Sequence, residues 1–298
     1  MKPPAFDYHA PRTDEEALQL LKRYGGEAKV LAGGQSLIPA MNFRLARPAV
    51  LVDINAIGDL AYIVEEASGG VRIGSMTRQR TVETSPLVRD CSPLLHAAMP
   101  WIAHLQIRNR GTIGGSLVHA DPAAELPAVM LALRARLRLE SQEDERWLSA
   151  RDFFTGFFST ALAENEMLCE IVVPCLPPRS GTAFREFARR HGDYALAGCC
   201  AVLTLEEDRG DPEQIKEARL TYFSVADGPV EAAQAQALLA GQQPSVDLFA
   251  EAARVAAHND LDPPGDIHAT PQFRRHLAQV LTRQALKQAL QRALSTGE

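Results

Sequence analysis

The sequence predicts an α+β chain built as more than one domain, and three observations carry that expectation. The first 57 residues run helix, strand, glycine turn, helix, strand, the order of a small α/β unit. From about Asp59 the texture changes to short strands such as Val71 to Ser75, and Arg134 to Glu140 alternates charged and apolar residues, the period of a half-buried strand in an antiparallel block. After the proline-rich stretch Cys175 to Gly181, a set of strands gives way to a set of helices, which suggests a smaller α+β domain at the C-terminal end. With 298 residues and 46% hydrophobic content, the chain is long enough for two or three domains of ordinary size.

The elements follow in order. Thr13-Asp-Glu-Glu16 is a capping-box pattern with Ala17, Leu18 and Leu21 at helical spacing behind it and Gly25-Gly26 as the stop, so a helix comes first. Lys29 to Leu31 reads as a short strand entering the turn Gly33-Gly34, Leu37 to Leu45 as a short helix, and Ala49 to Ile54 as a buried strand. A two-strand unit of this size cannot bury itself and needs a neighbour. Val71 to Ser75 is the next strand, and Ser92 with Pro93 opens a helical region carrying Leu94, Leu95, Ala98 and Ile102. A second double glycine, Gly114-Gly115, follows within Gln106 to Val118. Arg134 to Glu140 and Met167 to Val173 read as strands of the same middle block. Beyond the boundary, strands are expected at Thr182 to Arg190, Gly198 to Leu205 and Ile215 to Val225. Helices follow at Val246 to Ala257 and from Pro271, the last with Phe273, Leu277, Val280, Leu281 and Leu290 on one face.

Charge and cysteine usage exclude several function classes. The 31 Lys and Arg against 37 Asp and Glu give a net charge of −6 without a basic stripe, which disfavours nucleic acid and anionic membrane as partners. The N-terminal stretch lacks the apolar run of a signal peptide, and no segment reaches ~18 apolar residues. A cytoplasmic protein without membrane insertion is expected. The five cysteines contain no CxxC pair, against a disulfide framework, zinc site or iron–sulfur cluster held by this chain, and Cys199 and Cys200 read as small buried hydrophobes. His119 and Asp121 form an HxD with no third ligand nearby, so no metal site is expected.

The two glycine loops hold the chemistry. Neither fits GxxxxGK[ST] or GxGxxG, which disfavours phosphoryl transfer and a standard dinucleotide fold. What they offer is backbone amides and the neutral side chains of Gln35, Ser36, Thr112 and Ser116, a donor set able to hold a pyrophosphate without cleaving it. Glu125 follows the second loop and can accept from sugar or ribityl hydroxyls. An ordinary turn at each double glycine is the competing reading of the same residues.

At these motifs the chain resembles the FAD-binding medium subunit of the molybdenum hydroxylases, the xanthine dehydrogenase and carbon monoxide dehydrogenase flavoprotein family. The resemblance rests on AGGQS at Ala32 to Ser36, TIGGS at Thr112 to Ser116, DPAAEL from Asp121, and FREFARRHGDYA at Phe184 to Ala195. It implies an FAD-binding domain over residues 1–176, with subdomains of about 1–57 and 58–176, and a C-terminal domain over 177–298 with a three-stranded antiparallel sheet and helices. It implies that Ala32, Gly33, Gly34, Gln35, Ser36 and Leu37 wrap the FAD pyrophosphate, with Thr112, Gly114, Gly115 and Ser116 on its other side. Asp121 and Glu125 would lie near the ribityl and phosphate portion, Glu125 standing where relatives carry aspartate. Ile102 and Leu168 match apolar positions along the flavin or adenine. Arg185 matches a basic position near the flavin, where a cation favours a reduced anionic ring. Tyr194 matches a position beside the isoalloxazine, with a core tyrosine as the alternative.

The resemblance also implies partners: a small subunit with two 2Fe-2S clusters and a large one with the molybdopterin, in a dimer of heterotrimers. The chain would then relay electrons from the clusters to an external acceptor, while the large subunit hydroxylates carbon monoxide, an N-heteroaromatic or an aldehyde. A non-catalytic nucleotide-binding or assembly module, and a stand-alone flavin oxidase, are the competing functions.

Overall fold

The computed structural model describes residues 2–207 and 213–295; Met1, 208–212 and 296–298, including the outer ends of both expected domains, lie outside the described residues. Among the described residues, three sheets of three or more strands form in sequence, with a two-stranded hairpin besides. The first is parallel, with β1 (Asp7–His9), β2 (Ala28–Leu31) and β3 (Val50–Asp53) in the order β1-β3-β2. The helix Asp14–Tyr24 covers it with Ala17, Leu18 and Leu21. Thr13 Oγ1 accepts from the Glu16 amide at 3.2 Å, while Glu16 Oε2 accepts from the Arg12 amide at 2.8 Å, a box closed one residue earlier than the motif implies. The expected two-strand unit is therefore three-stranded. The added β1 is short and largely exposed, so no hydrophobic period marks it.

The middle sheet is antiparallel and supplies the neighbour that the first unit lacks. Its strands are β4 (Ile63–Glu65), β5 (Gly70–Gly74), β6 (Arg136–Glu140) and β7 (Glu145–Ser149), then, after the hairpin β8 (Phe154–Gly156) and β9 (Ser159–Thr160), the central β10 (Met167–Pro174). The order is β4-β5-β10-β6-β7. All of β10 but Pro174 is buried because both faces are covered: Met167 and Cys169 join the core of the first unit, Leu168 and Ile171 the core of the second. A bulge between Leu168 and Glu170 resets the alternation so that this division is possible.

The third sheet is antiparallel, with β11 (Ser180–Ala188), β12 (Ala195–Leu205) and β13 (Ile215–Phe223), and a two-residue β14 (Val230–Glu231) beside β13, one strand beyond the three expected. One face carries the long helix Pro271–Ser295. That helix buries Leu277, Ala278, Leu281, Ala285 and Ala289, while Phe273, expected on its apolar face, is 42% exposed. The alanines allow close approach: a Cβ on Gly181 would stand 1.9 Å from the Ala289 carbonyl oxygen. The other face, with Phe184, Cys200, Val202 and Phe223, packs into the middle core. Cys199 and Cys200 are fully buried, as the apolar run around them suggests. The helix Glu125–Ala132, buried along its whole length, lies between middle core and third sheet, fixed by Thr221 Oγ1 donating to the Ala128 carbonyl at 2.8 Å. No described helix is long and apolar enough to cross a membrane.

Candidate functional site

A cavity of about 520 Å³ opens where the three units meet. It is lined by Ala32, Gly33, Gly34, Gln35, Ser36 and Leu37 of the first loop and by Thr112, Gly114, Gly115 and Ser116 of the second. Ile102, Asp121, Glu125, Leu168 and Tyr194 complete the set that the sequence nominates, so all those residues share one space except Arg185.

The loops meet because their glycines remove side chains from the contact. A Cβ on Gly33 would stand 2.5 Å from the Arg110 carbonyl oxygen and 2.7 Å from Gly111 Cα. One on Gly114 would meet the Ser75 carbonyl oxygen at 2.7 Å. Gly34 has φ +72°, which turns the chain from β2 into the helix Leu37–Asn42. Asn55, just past β3, donates through Nδ2 to the Ala32 carbonyl at 2.7 Å and pins the first loop to the sheet.

The two loops carry different donors. Among the described residues, the amides of Gly34, Gln35 and Ser36 donate to no backbone carbonyl, so the first loop offers free N–H groups. Gln35 turns its side-chain Nε2 back to donate to the Gly33 carbonyl at 3.1 Å. In the second loop the amides are spent internally: Gly114 on Ser75, Ser116 on the Thr112 carbonyl, and Gly115 on Thr112 Oγ1 at 3.0 Å. Thr112 is thus the N-cap of the helix Ile113–His119, and this loop has hydroxyls and close approach left to offer.

At the other end, Glu125 stands in the first turn of its helix with its side chain buried. Burial, reinforced by the Asp121 carboxylate, pushes its carboxyl up to about 7. Asp121 is held by the Ala123 amide at 2.9 Å. Tyr194 is 70% exposed, so it is no core tyrosine. It sits at the end of the segment 189–194, which is clamped by Trp101 against His191 at 5.3 Å between ring centroids.

Arg185 does not line the cavity. Side chains alternate along β11, and Arg185 lies between Phe184 and Glu186, which take the inward face. Sequence reasoning missed Glu186, Lys29, Phe158 and His119. Lys29 is the one Lys or Arg lining the cavity among the described residues. Phe158, with φ +48°, packs edge-on against His119 at 5.1 Å between centroids, and both line the cavity. Burial lowers the His119 imidazole from its ordinary value, with Asp121 opposing the shift. The alternation of β11 was the one available signal for Glu186.

Family models match two parts of the chain: the FAD binding domain in molybdopterin dehydrogenase over residues 4–176, and the CO dehydrogenase flavoprotein C-terminal domain over residues 182–289. The chain belongs to this flavoprotein family. It is 41% identical to the 6-hydroxypseudooxynicotine dehydrogenase complex subunit alpha of Paenarthrobacter nicotinovorans, over 100% of this chain and 99% of that protein. It is 40% identical to the caffeine dehydrogenase subunit beta of Pseudomonas sp. (strain CBB1), over 98% and 97%. Among solved structures it is similar to a carbon monoxide dehydrogenase from Hydrogenophaga pseudoflava lacking the Mo-pyranopterin moiety, with a TM-score of 0.92, 38% identity, and coverage of 98% of this chain and 99% of that one.

FAD is the cofactor of this family, and the cavity of the flavoprotein subunit fits it. The space is of the size that buries a large cofactor, unpaired amides stand at one end, and uncharged hydroxyls face them across a glycine contact.

Proposed function

We propose that the chain is the FAD-carrying electron-transfer subunit of a heterotrimeric molybdenum hydroxylase. In this reading residues 1–176 form the FAD-binding domain and 177–298 the C-terminal domain. The observation that carries it is the convergence of both glycine loops, Asp121, Glu125 and Tyr194 on one cavity. The amides of Gly34 to Ser36 bind the pyrophosphate, and Ser116 meets it from the second loop. Ile102 and Leu168 cover apolar surface, and Glu125 accepts from hydroxyls. Bound FAD supplies the conversion between one-electron donors and a two-electron acceptor; the protein holds it, orients it and limits its contact with water.

The chain's own side chains bind and tune the cofactor, which supplies the chemistry. Electrons come from 2Fe-2S clusters of a small subunit and leave for an external acceptor, while a large molybdopterin subunit hydroxylates the substrate. The assembly is a dimer of heterotrimers in the cytoplasm. Relatives named 6-hydroxypseudooxynicotine dehydrogenase, caffeine dehydrogenase and carbon monoxide dehydrogenase keep both an N-heteroaromatic and carbon monoxide among the candidate substrates of the large subunit. The test is co-expression with candidate small and large subunits. Substrate should bleach the flavin of the complex and leave that of this chain alone unchanged. Bleaching of the isolated chain by substrate would instead support a stand-alone oxidase.

A further inference from the structure

One buried acid beside the cavity has no role in that reading. Glu186 lies on β11 two residues after Phe184, whose ring packs against Trp101 at 6.0 Å and Phe223 at 5.7 Å between centroids. It therefore shares the inward face, while Arg185 between them turns the other way. Glu186 is 8% exposed, and both of its carboxyl oxygens are buried without a hydrogen-bond partner.

The surrounding groups decide its charge. The helix Glu125–Ala132 is tied to this face by Thr221 Oγ1 donating to the Ala128 carbonyl and, just before it, by the Ser224 amide donating to the Pro122 carbonyl, which brings Glu125 toward the row of Glu186, Gly198 and Phe223, and its like charge raises Glu186. From β12 comes the buried Cys200 thiol, pushed up by burial, then by Cys199, and further by both glutamates. Tyr194, at the cavity mouth, is raised by the partial burial of its hydroxyl and by Asp121 and Glu125, not by Glu186. Arg108 opposes the shift at Glu125 and does not act on Glu186. Its guanidinium is already committed to Glu83 at 2.9 Å and to the Ile102 carbonyl at 2.8 Å. An ionised carboxylate without partner or counter-ion in such a place costs several kcal/mol, and two adjacent carboxylates cannot both ionise cheaply.

We propose that Glu186 and Glu125 form a carboxyl pair that holds a proton at the end of the cofactor cavity and makes the electrostatics of the bound cofactor depend on pH. The proposal rests on the reading of the cavity as the flavin site. Glu125 lines the cavity and Glu186 does not, so Glu186 is a positioning residue that acts through Glu125. Negative charge arriving in the cavity strengthens the pair's hold on protons; charge leaving weakens it. No covalent change is involved, and the proton exchanges with solvent. Burial pushes Glu186 up to about 8, with Glu125 adding to the effect, and the two titrate as a unit.

The test has two arms. Infrared spectra of the chain, taken from about pH 5 to about pH 9, should show a protonated carboxylic-acid band that persists above neutrality and is lost in Glu186→Gln. The second arm is the midpoint potential of the bound flavin against pH. The wild type should show a break in the region of the pair's titration, and Glu186→Gln and Glu125→Gln should both remove or displace it. A band unchanged in both variants, or a pH–potential plot that Glu186→Gln leaves unaltered, overturns the proposal. If no flavin binds, the flavin reading fails while the infrared arm still decides whether the pair holds a proton.

Discussion

Replacing Gly33 with alanine tests the way the two loops are joined. The added Cβ would stand 2.5 Å from the Arg110 carbonyl oxygen and 2.7 Å from Gly111 Cα, both backbone atoms that cannot rotate away. Ordinary contact begins at 3.4 Å, so the loops must separate by roughly an ångström. Overpacking of this kind costs about 1–3 kcal/mol. A shift of that size also draws the Gly34 to Ser36 amides off any group held between the loops, each lost charged hydrogen bond being worth about 1.5–3 kcal/mol. One such bond corresponds to a loss of about tenfold to a hundredfold in FAD affinity. Fluorescence titration of the apo-protein with FAD measures it, with circular dichroism to confirm the fold. Gly58→Ala is the control, since a Cβ there meets nothing within 4 Å. Wild-type FAD affinity in folded Gly33→Ala would refute the clamp.

Three further outcomes follow from the same geometry. Thr112→Val removes the acceptor for the Gly115 amide and should cost about 1 kcal/mol in urea unfolding, with faster flavin release; Thr112→Ser should restore both. Tyr194→Ala, at a side chain 70% exposed, should leave stability within about 0.5 kcal/mol and alter flavin emission; a large loss of stability would contradict its place at the cavity mouth. The carboxyls of Glu125 and Glu186 sit above their usual 4.5, at about 7 and about 8, so the folded state binds these protons more tightly than the unfolded chain. Their contribution is complete below about pH 4.5 and lost as pH rises through about 8, with a slope of up to about 1.4 kcal/mol per pH unit for one proton. Denaturation midpoints across that window should fall less steeply in Glu186→Gln, and equal slopes would contradict the burial of a protonated acid.

Both glycine loops were legible because close approach and a positive φ leave a mark in composition: only Gly33, Gly34 and Gly114 tolerate those contacts. Helix starts were legible for the same reason, through Thr13 and Pro93. Direction along a strand was harder to read. Arg185 stands one residue from where an inward side chain is needed, and a period of two turns that single step into the opposite face. The second loop has the same glycines as the first but spends its amides on its own N-cap Thr112 and, through Gly114, on Ser75, a partner distant in sequence. β1 escaped notice because three half-exposed residues carry no period, and the alanine face of the last helix because its burial follows closeness to Gly181 and not side-chain size. The Glu186 pairing required knowing which helix the sheet packs against.

The central claim is that the cavity between the two glycine loops is the FAD site of an electron-relaying subunit. The most direct measurement is the visible spectrum and extracted-cofactor stoichiometry of the purified protein, alone and assembled with its partners, for wild type and Gly33→Ala. The account predicts one noncovalent FAD per chain in the wild type and its loss from the variant. A protein that neither carries nor takes up FAD in either form would contradict it.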